Sequence, residues 1–205
     1  MKLVVFSLLI LFASSPKAEI LRYEQVQYLA KQAILDSNEN IALDQIEDVT
    51  NFCPNYNELY TIDKINFFAH LLASMAQLES VNRTDATFLE NNGNMSTGLL
   101  QISYKSISPS YRQSGCNMIY SPSDLKDPYK NLQCGLGILT ALIRRTGYIA
   151  RSNHVGASAY WSTLRTPYRV YLRSMNKSIT VGKRSQVIAL LRKNFSECFV
   201  NDYSM

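Results

Sequence analysis

The chain has only two histidines, His70 and His154, which stand far apart, and its four cysteines show no paired spacing. That scarcity argues against zinc sites, whose ligands come in clusters of Cys and His. After Ala13 no long apolar run occurs, and a bilayer-spanning helix needs roughly 20 apolar residues, so stable membrane insertion is not expected. A strong charge of one sign is also missing. Twenty-one Lys and Arg stand against 16 Asp and Glu, a net charge of +5, which is far short of a nucleic-acid-binding stripe. No cysteine precedes Cys53, which leaves no acceptor for lipid modification near the N-terminus. Internal repeats and low-complexity tracts are absent as well.

What is present fits one domain. The 205 residues are 46% hydrophobic, enough for a sizeable core. Met1-Lys2, the apolar stretch Leu3–Ala13 and the small, polar Ser14-Ser15-Pro16-Lys17-Ala18 form a signal-peptide pattern, predicting export and a mature chain of 19–205. Loss of Lys2 and Lys17 with the signal lowers the net charge to +3, a mild basicity suited to an anionic polymer such as a cell wall. Cys53, Cys116, Cys134 and Cys198 all follow the signal, and an even count in an exported chain reads as disulfides. Three pairings are possible. Cys116 with Cys134 is favoured because it closes a loop between two helices, and Cys53 with Cys198 because it ties the chain's ends. The shorter loop is worth ~3 kcal/mol in the chain-entropy model.

Periodicity predicts a mainly α-helical domain with a small irregular or β region. Val26, Leu29, Ala30, Ala33 and Ile34 recur at helical intervals in a stretch running from Leu21 to about Thr50, an N-terminal helical extension spanning about 19–60. A stronger helix begins near Asp63, taken as its N-cap, with the stripe Ile65, Phe68, Leu72 and Met75. Residues 80–110, rich in Asn, Gly, Ser and Thr, suggest a folded loop or short strands. Asp127-Pro128 marks the start of a buried helix through Leu132, Leu136, Leu139 and Ile143. Further helices are expected at 156–164, 168–175 and 183–195.

The next step of the stripe after Met75 lands on Glu79. The helix that buries Phe68 and Leu72 must therefore turn this carboxyl inward, where desolvation and the negative end of the helix dipole both favour the protonated form. Such a group can protonate a glycosidic oxygen near neutral pH. Spacing alone also fits a partly solvated glutamate at a helix end.

The local sequence narrows the choice. Ala76-Gln77-Leu78-Glu79-Ser80 is followed by Gly98-Leu99-Leu100-Gln101-Ile102-Ser103, then Asn131-Leu132-Gln133-Cys134-Gly135, then Ala159-Tyr160. This ordered set resembles the signature of the lytic transglycosylases and goose-type lysozymes, of the lysozyme-like superfamily, over about residues 63–165. The resemblance implies a lysozyme-like fold, peptidoglycan glycan strands as substrate, a monomer, no metal or organic cofactor, and Glu79 as catalytic acid. It further implies that Gln101 and the backbone around Ile102 hold an acetamido group, that Tyr160 hydrogen-bonds near the Glu79 carboxyl, and that Gly98 permits a close backbone approach.

The sequence also departs from the family. Trp161 stands where asparagine commonly follows the tyrosine, and its indole could stack on a sugar or fill the interior. Asn92 and Ser103 occupy positions where goose-type lysozymes carry aspartates that position water, so both are counted at the substrate-binding cleft without supplying a base. With no second acid there, the reading tilts to transglycosylation: one glutamate protonates the leaving oxygen, then deprotonates the muramoyl 6-hydroxyl to give a 1,6-anhydro ring. Asp85 and Glu90 could replace the missing acids, which keeps a muramidase as an alternative, beside a glycan-binding protein without turnover.

Overall fold

The computed structural model describes residues 19–37, 40–152, 154–172 and 177–203. The expected signal segment, 1–18, lies outside them. Helix α1, Tyr23–Asp36, buries Val26, Ala30, Ala33 and Ile34, the stripe expected from spacing. It does not continue to Thr50. Ser37 caps it in an extended conformation, its hydroxyl on the Ile34 carbonyl at 2.8 Å, and 3-10 turns follow at Ile41–Leu43 and Val49–Asn51. Between these turns and the later chain, the buried Asp48 carboxylate accepts from the Ile149 and Ala150 amides, both at 2.7 Å.

Helix α2, Thr61–Glu79, starts before Asp63. The amides of Asp63 and Lys64 already donate to the Tyr60 carbonyl, so Tyr60 is the N-cap, and Asp63 sits in the first turn, where the dipole favours an acid. Its buried face, with Phe67, Phe68, Leu71, Leu72 and Met75 inaccessible to solvent, is the centre of the core. Helix α1 packs along it.

The polar stretch after α2 folds into a three-stranded antiparallel sheet: β1 Thr87–Leu89, β2 Met95–Thr97 and β3 Ile102–Ser103. Phe88 pairs with Ser96, and Ser96 with Ser103. Side chains alternate across a strand, so these three share one face. A short helix α3, Pro109–Tyr111, runs into a π-helical turn at Arg112–Cys116. Helix α4, Pro128–Thr146, begins as expected: Asp127 Oδ1 accepts from the Lys130 amide at 3.0 Å, with Pro128 at the first helical position. It ends at Gly147 in a left-handed conformation. Disulfides join Cys116 to Cys134 and Cys53 to Cys198, the favoured pairing.

Two expectations fail in the C-terminal third. Residues 156–164 form 3-10 turns at Gly156–Ala159 and Ser162–Leu164 instead of a helix. Of the helix expected at 168–175, residues 168–172 form a strand, β4 Tyr168–Leu172, antiparallel to β5 Lys177–Val181, and 173–175 lie outside the described residues. Both strands are rich in aromatic and β-branched residues, which suit a paired extended chain better than a helix. Helix α5, Arg184–Asn194, follows and buries Val187 and Leu191, with Phe195 just beyond its end. No helix among the described residues is long and apolar enough to cross a membrane.

Candidate active site

Glu79 is the last residue of α2. Beyond it the chain reverses sharply: Ser80 caps the helix, with both its amide and its hydroxyl on the Ala76 carbonyl, and Val81 and Asn82 take positive φ values of 53° and 59°. Such conformations persist in non-glycine residues only when neighbours hold them. Here the N-terminal segment does so, with the Leu21 amide on the Asn82 carbonyl and the Thr84 amide on the Glu19 carbonyl, each at 3.0 Å. The Asn82 side chain reaches back to Gln77 at 2.7 Å.

A cleft of about 380 Å³ opens over this helix end, lined by Glu79, Phe88, Glu90, Ser96, Gln101, Tyr160, Trp161 and Ser162. Burial pushes the Glu79 carboxyl up to about 7, while the positive charge of Lys183 and hydrogen bonding from the Thr163 backbone pull the other way. Desolvation wins, so near neutrality the acid is about half protonated. The Thr163 hydroxyl donates to Glu79 Oε1.

The segment carrying Gln101 is held by Asn131, which is inaccessible to solvent. Its Oδ1 accepts from the Leu100 amide at 2.9 Å, and its Nδ2 donates to the Thr97 and Leu125 carbonyls at 3.0 and 2.9 Å. Gly98 has φ +80°, and a Cβ there would lie 2.1 Å from the Leu125 carbonyl oxygen and 2.3 Å from Asn131 Nδ2. The close approach expected of Gly98 is therefore to Asn131 and the loop behind it. Gly135, one turn along α4, leaves the space that the Leu100 side chain fills.

The predicted site residues come together unevenly. Glu79, Gln101, Tyr160 and Trp161 line the cleft. Gln101 has φ 48° and donates through Nε2 to the Gly98 and Ala86 carbonyls at 2.8 and 3.2 Å. What it can offer a sugar is therefore its Oε1 acceptor. The Tyr160 hydroxyl accepts from the Ser103 amide at 3.3 Å; burial raises its pKa, so it keeps a proton to donate. Trp161 is 2% exposed, and its indole N–H donates to the Leu100 carbonyl at 2.9 Å, which makes it a support for the Gln101 loop. Ile102 is in the core. Ser103 is buried beside Ser96 with its hydroxyl unpartnered, whereas Asn92 is exposed in the β1–β2 turn, accepting from the Asn94 amide at 2.9 Å.

Several cleft residues have no signal in the sequence. Phe88, 64% exposed, is the open aromatic ring of the cleft, and Ser162 and Thr163 follow the Ala159-Tyr160 motif without belonging to it. Lys183 lies more than 100 residues from Glu79, yet its Nζ donates to the Leu78 carbonyl at 2.8 Å. Glu90, one of two candidate substitutes for the missing acids, lines the cleft and accepts a hydrogen bond from the Ser96 hydroxyl. The other, Asp85, pairs with Arg83 at 3.3 Å.

The chain has no significant match among curated proteins. Among solved structures it is similar to wild-type form 2 of Bd0314 DslA, with a TM-score of 0.67 and 28% identity over 85% of this chain and 91% of that one. Two variants of the same protein, each with one glutamate changed to glutamine, give TM-scores of 0.66 and 0.65 at 28% and 29% identity over the same shares. Residues 60–168 match the family described as the transglycosylase SLT domain. This span runs from the cap of α2 through the sheet, α4 and the Tyr160 segment, and the chain accordingly belongs to the transglycosylase SLT family, lysozyme-like enzymes that cleave the glycan strands of peptidoglycan.

Proposed function

We propose that the protein is an exported lytic transglycosylase that cleaves the β-1,4 bond between N-acetylmuramic acid and N-acetylglucosamine, with Glu79 as its acid. The observation that carries this reading is a carboxyl held near pKa 7 by burial at the foot of a glycan-sized cleft. The protonated Glu79 donates to the glycosidic oxygen as the bond breaks and oxocarbenium character develops on the muramoyl ring. The resulting carboxylate then takes the proton of the 6-hydroxyl, whose oxygen closes on the anomeric carbon. Gln101 Oε1 accepts from an acetamido N–H, and Phe88 offers an apolar face to a sugar ring. The signal pattern and two disulfides support export.

A second reading, hydrolysis, is favoured by Glu90. It is a second carboxylate on the cleft wall and could act as base toward a water beside the scissile bond. In the related DslA variants the two substituted glutamates are eleven residues apart, the same separation as Glu79 and Glu90. Mass spectrometry of muropeptides released from purified peptidoglycan separates the two. Products lighter by one water, lost with Glu79→Gln and retained with Glu90→Gln, support transglycosylation. Products with a free reducing end that vanish in both variants establish a lysozyme instead.

A further inference from the structure

Thr163 meets Glu79, and Lys183 its neighbour Leu78, from segments outside the quoted motifs. Thr163, in the 3-10 turn Ser162–Leu164, is 2% exposed, and its hydroxyl donates to Glu79 Oε1. An oxygen that accepts this bond acts as the carbonyl oxygen of a carboxylic acid, so the proton resides on Oε2. The hydroxyl thereby decides which oxygen presents the proton. Lys183 immediately precedes α5 and holds both sides of the contact. Its Nζ donates to the Leu78 carbonyl at 2.8 Å, one of the acceptors that the end of α2 leaves without a helical partner. Its amide donates to the Thr163 carbonyl at 3.2 Å. Neighbouring bonds repeat the pattern, with the Arg184 amide on the Arg165 carbonyl at 3.1 Å and Arg184 Nε on the Leu164 carbonyl at 2.9 Å. Gly182, at φ +93°, lies so close that a Cβ would be 2.5 Å from the Thr166 carbonyl oxygen.

We propose that Thr163 and Lys183 are the positioning residues of the catalytic acid: Thr163 fixes Oε1 so that Oε2 faces the scissile bond, and Lys183 clamps the Thr163 turn to the end of α2 while its charge steadies the carboxylate formed after proton donation. The inference rests on the reading of Glu79 as the acid. It makes α5, outside the matched family span, part of the catalytic apparatus. A lysine that only closed a helix end would leave the acid's titration alone, whereas one that steadies the carboxylate holds Glu79 below the value that burial by itself would set.

The test is the pH profile of kcat and kcat/KM for peptidoglycan solubilisation by the full mature chain. Thr163→Val, nearly isosteric and lacking only the hydroxyl, should lower kcat roughly 10- to 100-fold with KM little changed, the scale on which a misplaced catalytic group costs rate. Thr163→Ser should recover most of the lost rate. Lys183→Met, at an exposed position, should move the basic limb of the profile upward, by an amount that shrinks as salt is added. A Lys183→Met profile that superimposes on the wild type at low salt, or a Thr163→Val enzyme with wild-type kcat, would overturn the proposal. Glu79→Gln run alongside distinguishes the deeper failure: activity surviving that change removes the acid itself, whatever Thr163 and Lys183 do.

Discussion

At the scale of single residues, Glu79 holds two opposed requirements. Its carboxyl is raised from 4.5 to about 7 mainly by burial; as the proposed acid it serves only while protonated, so kcat/KM should fall as pH rises through about 7. A stopped assay of released muropeptides between pH 5 and 9 locates that limb; a limb near pH 4.5 would mean the carboxyl is solvated. The same shift acts on stability. A carboxyl whose folded pKa lies above its unfolded one favours the folded state below pH 4.5 and loses that contribution as pH climbs to 7. Replacing it with the neutral Glu79→Gln should therefore stabilise the protein at pH 8 by roughly 3 kcal/mol, leave it unchanged at pH 4, and cut kcat by roughly 10²- to 10⁴-fold. Urea melts at the two pH values check the first half. Glu79 is legible in the sequence because its place in the stripe and its motif agree. Thr163 and Lys183 are not, because their contacts join segments 84 and 105 residues away from the end of α2, and no local pattern encodes such a meeting.

Elements are fixed by a few buried polar side chains, and their expected behaviour follows from what each one satisfies. Asn131 supplies two bonds that tie β2 and the Gln101 loop to α4, and a third to the Leu125 carbonyl in the turn before α4. Asn131→Leu should strand the Leu100 amide and two carbonyls, destabilising by about 2 to 4 kcal/mol and loosening Gln101, so that activity falls further than the change in melting accounts for. Between α1, α2 and α5, His70 stacks on Phe195 at 5.1 Å and meets the Tyr23 hydroxyl at 3.2 Å, which also reaches Ser74 at 3.1 Å. Burial lowers the imidazole to about 4. The unfolded chain takes up this proton below 6.5 and the folded one does not, so the contribution of His70 to stability should decline as pH drops from 6.5 towards 4, against the opposite trend of Glu79. The loss is on the order of 2 kcal/mol, reduced from the full shift because the ring keeps some solvent contact. Denaturant midpoints for His70→Phe should lack this slope; if they keep it, other groups carry the acid sensitivity. Periodicity revealed α1, α2, α4 and α5, but it misassigned 168–172. There, alternation over five residues is too short to outweigh helical spacing, and the strand exists only through its partner at 177–181.

For the molecule as a whole, the helical class, the small sheet beside the cleft and both disulfides were legible, since hydrophobic period, turn composition and cysteine count are properties of the chain itself. The Asp48 fastening and the bracing of residues 82–84 by residues 19–21 were not, because they depend on how distant segments dock. The Cys53–Cys198 bond governs that docking. It closes a loop across 145 residues, and the Asn55 amide donates to the Cys198 carbonyl at 3.1 Å beside it. In the chain-entropy model such a loop is worth ~5 kcal/mol, against ~3 kcal/mol for the 18-residue separation of Cys116 and Cys134. The two bonds should also differ in what they protect. Cys53→Ala with Cys198→Ala releases the segment after α5, and α5 begins at the residue following Lys183, so it should lower both global stability and the fastening around Glu79. Cys116→Ala with Cys134→Ala loosens the packing of the π-helical turn on α4, away from the acid. Paired urea melts and activity at a temperature where each variant stays folded should therefore show the larger loss of both stability and kcat in the Cys53 and Cys198 variant. A larger kcat loss in the other variant would place the mechanical support of Glu79 in α4 and the π-helical turn.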